Sequence, residues 1–177
     1  FKPNQDFFYF FQFIRSLVFN YKDFLKQNIP NLLEMIDSLL DDSSEEPLII
    51  LRNEYLIGLF AALDGVENVT NQEMFARVLR YMPIQGSQRD NNSYIYRYLL
   101  NHFQDFPEMQ LPVLHCFIGV FSSKRSLFKA HLTVPIAQEI LKIIVEVIQK
   151  QDIIQSFFSN QDDLCCFLET ISEYTTQ

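Results

Sequence analysis

Apolar residues return every three or four positions along almost the whole of this chain, and strict alternation is sustained nowhere. That rhythm matches the roughly 3.6-residue repeat of an α-helix and not the two-residue repeat of a half-buried strand. The chain is therefore expected to be all-α. Its 18 phenylalanines, with no tryptophan, suit helix–helix interfaces, because Phe is a large apolar filler without a polar handle. Glycine, which phosphate-cradling loops, nucleophile elbows and tight hairpins require, occurs only four times. A loop-built active site has little to be made from.

Proline and capping signals divide the periodic stretch. The first helix is expected from Gln5 to Lys26, with Phe7, Phe10, Phe11, Ile14, Leu17, Val18, Tyr21, Phe24 and Leu25 in its apolar stripe and Phe8, Phe13 and Phe19 widening it. Asn28-Ile29-Pro30 ends it, and Pro30 opens a second helix to Leu40. After the acidic turn Asp41 to Glu46, Pro47 opens a third helix to Leu63, closed by Asp64-Gly65 with the glycine in the left-handed conformation. Thr70 and Glu73 form a capping box for a fourth helix, which ends at Tyr81-Met82 before Pro83. The longest polar loop is Ile84 to Asn92. Asn92 or Ser93 then caps a fifth helix to Phe106, and Pro107 and Pro112 start a sixth to Ser122. A basic segment, Ser123 to His131, precedes a helix from Pro135 to Lys150, and short helices over Asp152 to Phe158 and Asp162 to Tyr174 close the chain.

Taken in pairs, helices start near Gln5, Pro47, Ser93 and Pro135, at spacings of 42 to 46 residues. By this spacing the chain resembles armadillo and HEAT repeats, whose periods run roughly 40–47 residues. The resemblance implies a right-handed stack of about four helical hairpins in a single domain over residues 1–177. In shape it also looks like the right-handed superhelices that read short linear motifs in transcription, RNA-processing and vesicle-sorting proteins. A compact all-α bundle is the alternative.

The formal net charge of −8 disfavours nucleic acid and anionic membrane surfaces and favours basic partners. No run of apolar residues is long enough for a spanning helix. Cys116 and the adjacent pair Cys165 and Cys166 make an odd count that builds no disulfide framework, so an intracellular, reducing compartment is expected. The acceptor patterns Asn68-Val69-Thr70 and Asn91-Asn92-Ser93 then read as chance matches. The opening Phe1-Lys2-Pro3-Asn4 reads as the start of a domain excised from a longer chain.

No catalytic constellation stands out, and neither an enzyme nor a cofactor is expected. His115 and Cys116 are neighbours on one helix and point about 100° apart, so they cannot act as base and nucleophile. His102, His115, Cys116 and His131 lack metal-ligand spacing. The carboxylates of Asp41, Asp42, Glu45 and Glu46, and of Asp162 and Asp163, suit helix starts better than a calcium loop.

Two features point to interaction. Lys124 and Arg125, within the basic segment, can receive an acidic or phosphorylated motif, or simply belong to a solvated turn. Arg77, Arg80 and Tyr81 on the fourth helix, with Tyr94, Arg97 and Tyr98 on the fifth, are the residue types enriched at binding hot spots. The plainer reading of that set is tyrosines packing the stack and arginines snorkelling outward. The expected function is a non-catalytic scaffold or adaptor that holds a peptide or helix of a partner protein. The rival is an obligate structural subunit whose apolar first helix is a permanent interface, with a nucleic-acid-associated domain third.

Overall fold

The structure is a computed structural model that describes residues 5–82, 84, 89–122 and 134–150, together with 165, 169 and 172. The described residues form helices and turns, with no strand among them. In chain order the helices are α1 (Gln5–Asn20), α2 (Lys22–Lys26), α3 (Ile29–Leu39), α4 (Pro47–Asp64), α5 (Gln72–Arg80), α6 (Arg89–Asn101), α7 (Gln110–Ser122) and α8 (Val134–Lys150). A single 3-10 turn, Pro107–Met109, precedes α7.

α4 is the hub. It is buried without a break from Arg52 to Asp64, so no stripe of it faces solvent along that stretch. α1 and α3 pack on it, α6 packs on it more extensively, α6 in turn meets α8, and α7 touches both α5 and α8. The core gathers Phe11, Phe60, Phe75, Tyr98 and Phe117 with aliphatic residues from α4, α6, α7 and α8. Proline sits in the first turn of α3 and of α4, as the sequence signals predict.

Local details differ where tertiary contacts outweigh local signals. The expected first helix is two: Tyr21 leaves helical geometry at φ −139°, and the resulting bend buries Leu25 while Tyr21 and Phe24 stay exposed. Gly65 is right-handed, at φ −66° and ψ −12°, and not left-handed. The turn is made instead by the Asp64 carboxylate, whose Oδ1 accepts the N–H groups of Val69 and Thr70, each at 3.0 Å. Asn71, and not Thr70, caps α5, accepting the Met74 N–H at 2.9 Å. The Thr70 hydroxyl is engaged elsewhere, by the Tyr98 hydroxyl.

α6 begins before the expected caps, with Asn92 fully buried inside it, and stops at Asn101 instead of running to Phe106. Its end is set by His102, which starts a turn that brings Asp105 back to the imidazole. The expected helices over 152–158 and 162–174 lie outside the described residues, apart from Cys165, Glu169 and Ser172, each of which is helical. No helix among the described residues is long and apolar enough to cross a membrane.

Candidate functional site

Two polar clusters interrupt this apolar frame. The first lies where the turn after α3 meets the end of α5. There the Asp41 carboxylate accepts the Ser43 hydroxyl at 2.7 Å and the Ser43 N–H at 3.2 Å. These bonds, with the Arg52 charge behind them, hold the Asp41 carboxyl below its usual range. Asn53 of α4 anchors the turn: its Nδ2 donates to the Asp41 carbonyl at 2.7 Å, and its Oδ1 accepts the Asp41 N–H at 3.4 Å.

Arg77 closes the cluster from α5. Its Nη1 donates to Asp37 at 2.7 Å and its Nε to Asp42 at 2.8 Å. Partial burial works against the Arg77 charge, but the two carboxylates more than offset it and raise its pKa. The Tyr81 hydroxyl donates to the other oxygen of Asp42. Burial, reinforced by that bond, raises the Tyr81 phenol, so it remains a neutral donor.

A cavity of about 270 Å³ opens beside this knot. Asp41, Asp42, Asn53 and Glu54 line it from the turn and α4, and Arg80 and Tyr81 line it from the end of α5. Arg80 is exposed and makes no ion pair or hydrogen bond with the described residues. α4 carries three consecutive buried polar residues, Arg52, Asn53 and Glu54, in an otherwise apolar stretch, and the last two line the cavity.

The second cluster is internal. His102 lies between two carboxylates, with Nε2 at 2.6 Å from Asp64 and Nδ1 at 2.7 Å from Asp105. His102 and Asp64 are 5% and 7% exposed. A carboxylate against each ring nitrogen favours the doubly protonated ring, which donates on both sides. Burial opposes that charge, yet the hydrogen bonds to Asp64 and Asp105 outweigh it and raise the His102 pKa above its ordinary value. The cluster bolts the end of α4 to the end of α6, and with both ring nitrogens occupied it offers no free base. Among the described residues, no group of three His, Cys, Asp or Glu side chains is arranged to hold a metal ion. His115 is exposed and Cys116 half-buried on α7, and burial pushes the Cys116 thiol up to about 11, away from thiolate reactivity.

The residues predicted from sequence therefore separate. Arg80 and Tyr81 come together at the cavity, while Arg77 does not line it and is spent on Asp37 and Asp42. Tyr94 is half-buried against the core. Arg97 pairs with Glu139 of α8. Tyr98 does not serve a surface: it is 2% exposed, its ring lies against Phe60 and Phe75, and its hydroxyl meets Thr70. Lys124 and Arg125 lie outside the described residues.

Sequence reasoning missed Asn53 and Glu54, whose visible signal is the polar triplet inside an apolar helix. It also missed the Asp64–His102–Asp105 set, for which no local signal exists. Comparison with known proteins finds no matching family model, no matching curated protein and no matching solved structure.

Proposed function

We propose that this chain is a non-catalytic interaction module, a scaffold or adaptor that holds a peptide or helix of a partner protein. The observation that carries the reading is Arg80, an exposed cation without a partner among the described residues, beside the half-buried Tyr81 at a polar cavity. Arg and Tyr combine a flat apolar body with a polar end, and the unengaged guanidinium of Arg80 beside the Tyr81 ring at a concave site suits the capture of a peptide. In this reading the helices form stacked hairpins of the HEAT and armadillo type. Support comes from the order of packing, in which α1, α4, α6 and α8 meet successively along the chain. The unbroken burial of α4 supports the alternative, a compact bundle built around that helix.

Affinity capture from cell extract, with Arg80→Glu as the paired bait, tests the reading. A partner held by the native chain and lost from a variant with an unchanged circular dichroism spectrum supports it. Identical partners on both baits overturn the placement at Arg80.

A second reading has its own observation. Tyr9, Phe13, Tyr21 and Phe24 are all exposed along α1 and α2. Such an aromatic surface fits a permanent interface in a larger assembly, the role of an obligate structural subunit.

A further inference from the structure

The Asp64–His102–Asp105 cluster is unequal on its two sides. The Asp64 side chain is 5% exposed and that of Asp105 is 54% exposed. Asp64 Oδ1 also holds the Val69 and Thr70 N–H groups, so that carboxylate is fixed from two directions. Asp105 lies in the turn after α6, three residues from His102, and its N–H donates to the His102 carbonyl at 3.1 Å. Water can take the place of the ring at Asp105 and has almost no access to Asp64.

That inequality decides what happens when the ring loses a proton. A neutral imidazole has one N–H and one bare nitrogen, which is an acceptor. The bare nitrogen repels a carboxylate at hydrogen-bond distance, so one of the two contacts must open. Opening the Asp64 contact strands a buried carboxylate oxygen, whereas opening the Asp105 contact only returns an exposed carboxylate to water. We propose that His102 is a proton-controlled latch on the connection between α6 and α7. Protonated, it closes the turn from His102 to Asp105. Neutral, it keeps its Nε2–H on Asp64 and releases Asp105, with the junction of α4 and α6 still closed.

The surroundings of the ring leave this choice to the two carboxylates. Asp64 from α4 and Asp105 from the turn supply the charges that act on it. From α6, the Tyr98 ring lies 4.9 Å away, its phenol kept neutral by burial and its hydroxyl on Thr70. Phe106 lies 6.4 Å from the imidazole and packs on Phe75 of α5 at 4.8 Å, and neither carries a charge. Gln110, at the start of α7, is neutral and donates to the Phe103 carbonyl and the Gln104 side chain. Phe103 is buried and Phe106 half-buried, so they anchor the chain on either side and confine the release to the exposed Gln104 and Asp105. The carboxylates raise the His102 pKa above 6.5, so the latch is closed below that value and opens as pH rises through the folded one.

The test follows the ¹⁵N-labelled chain by NMR from about pH 6 to about pH 9. Long-range ¹H–¹⁵N correlations of the His102 ring report which nitrogen keeps its proton. Amide exchange, divided at each pH by the rate of an unstructured peptide, reports closure of the turn. Above the His102 titration the Nε2–H tautomer is expected. Protection of the Asp105 N–H should fall about tenfold there, the loss of one charge-assisted contact, while the Val69 and Thr70 N–H groups keep theirs. Asp105→Asn is the paired variant, at an exposed position that the fold tolerates. Its amide accepts from the protonated ring and, turned over, donates to the neutral one, so the turn should stay closed across the range. Four results would each overturn the proposal: an Nδ1–H tautomer, a ring whose protonation does not change, an Asp105 amide equally protected on both sides of the titration, or the same pH-dependent loss in Asp105→Asn.

Discussion

His102 Nε2 meets Asp64 Oδ2 at 2.6 Å, joining the ends of α6 and α4 between positions 38 residues apart in the chain. Asp64 serves twice in this arrangement: Oδ2 holds the imidazolium while Oδ1 folds the Val69–Thr70 turn. Removing the ring leaves a buried carboxylate with one oxygen unpartnered and only the Val69 and Thr70 N–H groups on the other. His102→Ala is expected to cost about 3–5 kcal/mol, the range for breaking a buried charge pair. Asp105→Asn should cost less than about 1 kcal/mol, because Asp105 is exposed. Urea denaturation of the two variants checks the ordering.

The same pair sets a pH dependence. The folded-state pKa of His102 is raised above its ordinary 6.5. Its contribution is therefore fully present below that value and is lost as pH rises through the folded pKa. Stability should fall from neutral pH toward the alkaline side, and His102→Gln should flatten the slope. Tyr81, Tyr96 and Tyr98, held neutral by burial, add their own loss only from about pH 10 upward, the unfolded phenol value. Urea midpoints measured from pH 6 to about pH 9 read His102 without them.

Arg77 and Arg80 lie three residues apart on α5 and should behave oppositely. Arg77→Glu breaks two carboxylate bonds and sets a third negative charge beside Asp37 and Asp42. Its cost is expected at about 1–3 kcal/mol, moderated by the exposure of Asp37. Arg80→Glu, with no partner among the described residues, should change stability by less than about 0.5 kcal/mol. Thermal melts followed by circular dichroism separate them, and equal losses would mean that Arg80 also serves the fold.

Tyr98 tests the assignment of a hot-spot residue type to the core. Tyr98→Phe removes only the hydroxyl that meets Thr70 and should cost about 1 kcal/mol. Tyr98→Ala empties the space against Phe60 and Phe75 and should cost about 3–5 kcal/mol. Chemical denaturation measures both, and a neutral Tyr98→Ala would return the residue to the surface.

Gly65 supplies a check on the turn after α4. Its φ of −66° is open to any residue, and a Cβ there would meet the Ala62 carbonyl at 3.4 Å, ordinary contact. Gly65→Ala is expected to raise stability by about 0.5 kcal/mol through the unfolded chain. A loss of more than about 1 kcal/mol in the melt would show that the position needs positive φ after all.

Helices were legible because their signals are local. Pro30, Pro47, Pro107 and Pro135 mark starts from within one turn, and the apolar rhythm of residues 136 to 147 foretells the buried face of α8. Where local and long-range forces compete, the local signal fails: Thr70 has the look of a cap, but Tyr98 takes its hydroxyl and Asn71 does the capping.

The candidate site was only half legible for the same reason. Arg80 and Tyr81 stand out by residue type, but nothing near them in sequence announces Asn53 or Glu54, and nothing distinguishes the engaged Arg77 from the free Arg80.

By itself the sequence determined an all-helical chain and where most of its helices begin. Backbone propensity, proline geometry and the three-to-four spacing act within a single turn. Only the tertiary structure decided which polar groups are spent on the fold and which stay unengaged among the described residues. Arg77 finds its carboxylates 35 and 40 residues away, and Arg97 finds Glu139 at 42. Side chains so far apart in the chain meet only after the helices pack, so burial and pairing are properties of that packing and not of any local stretch of sequence.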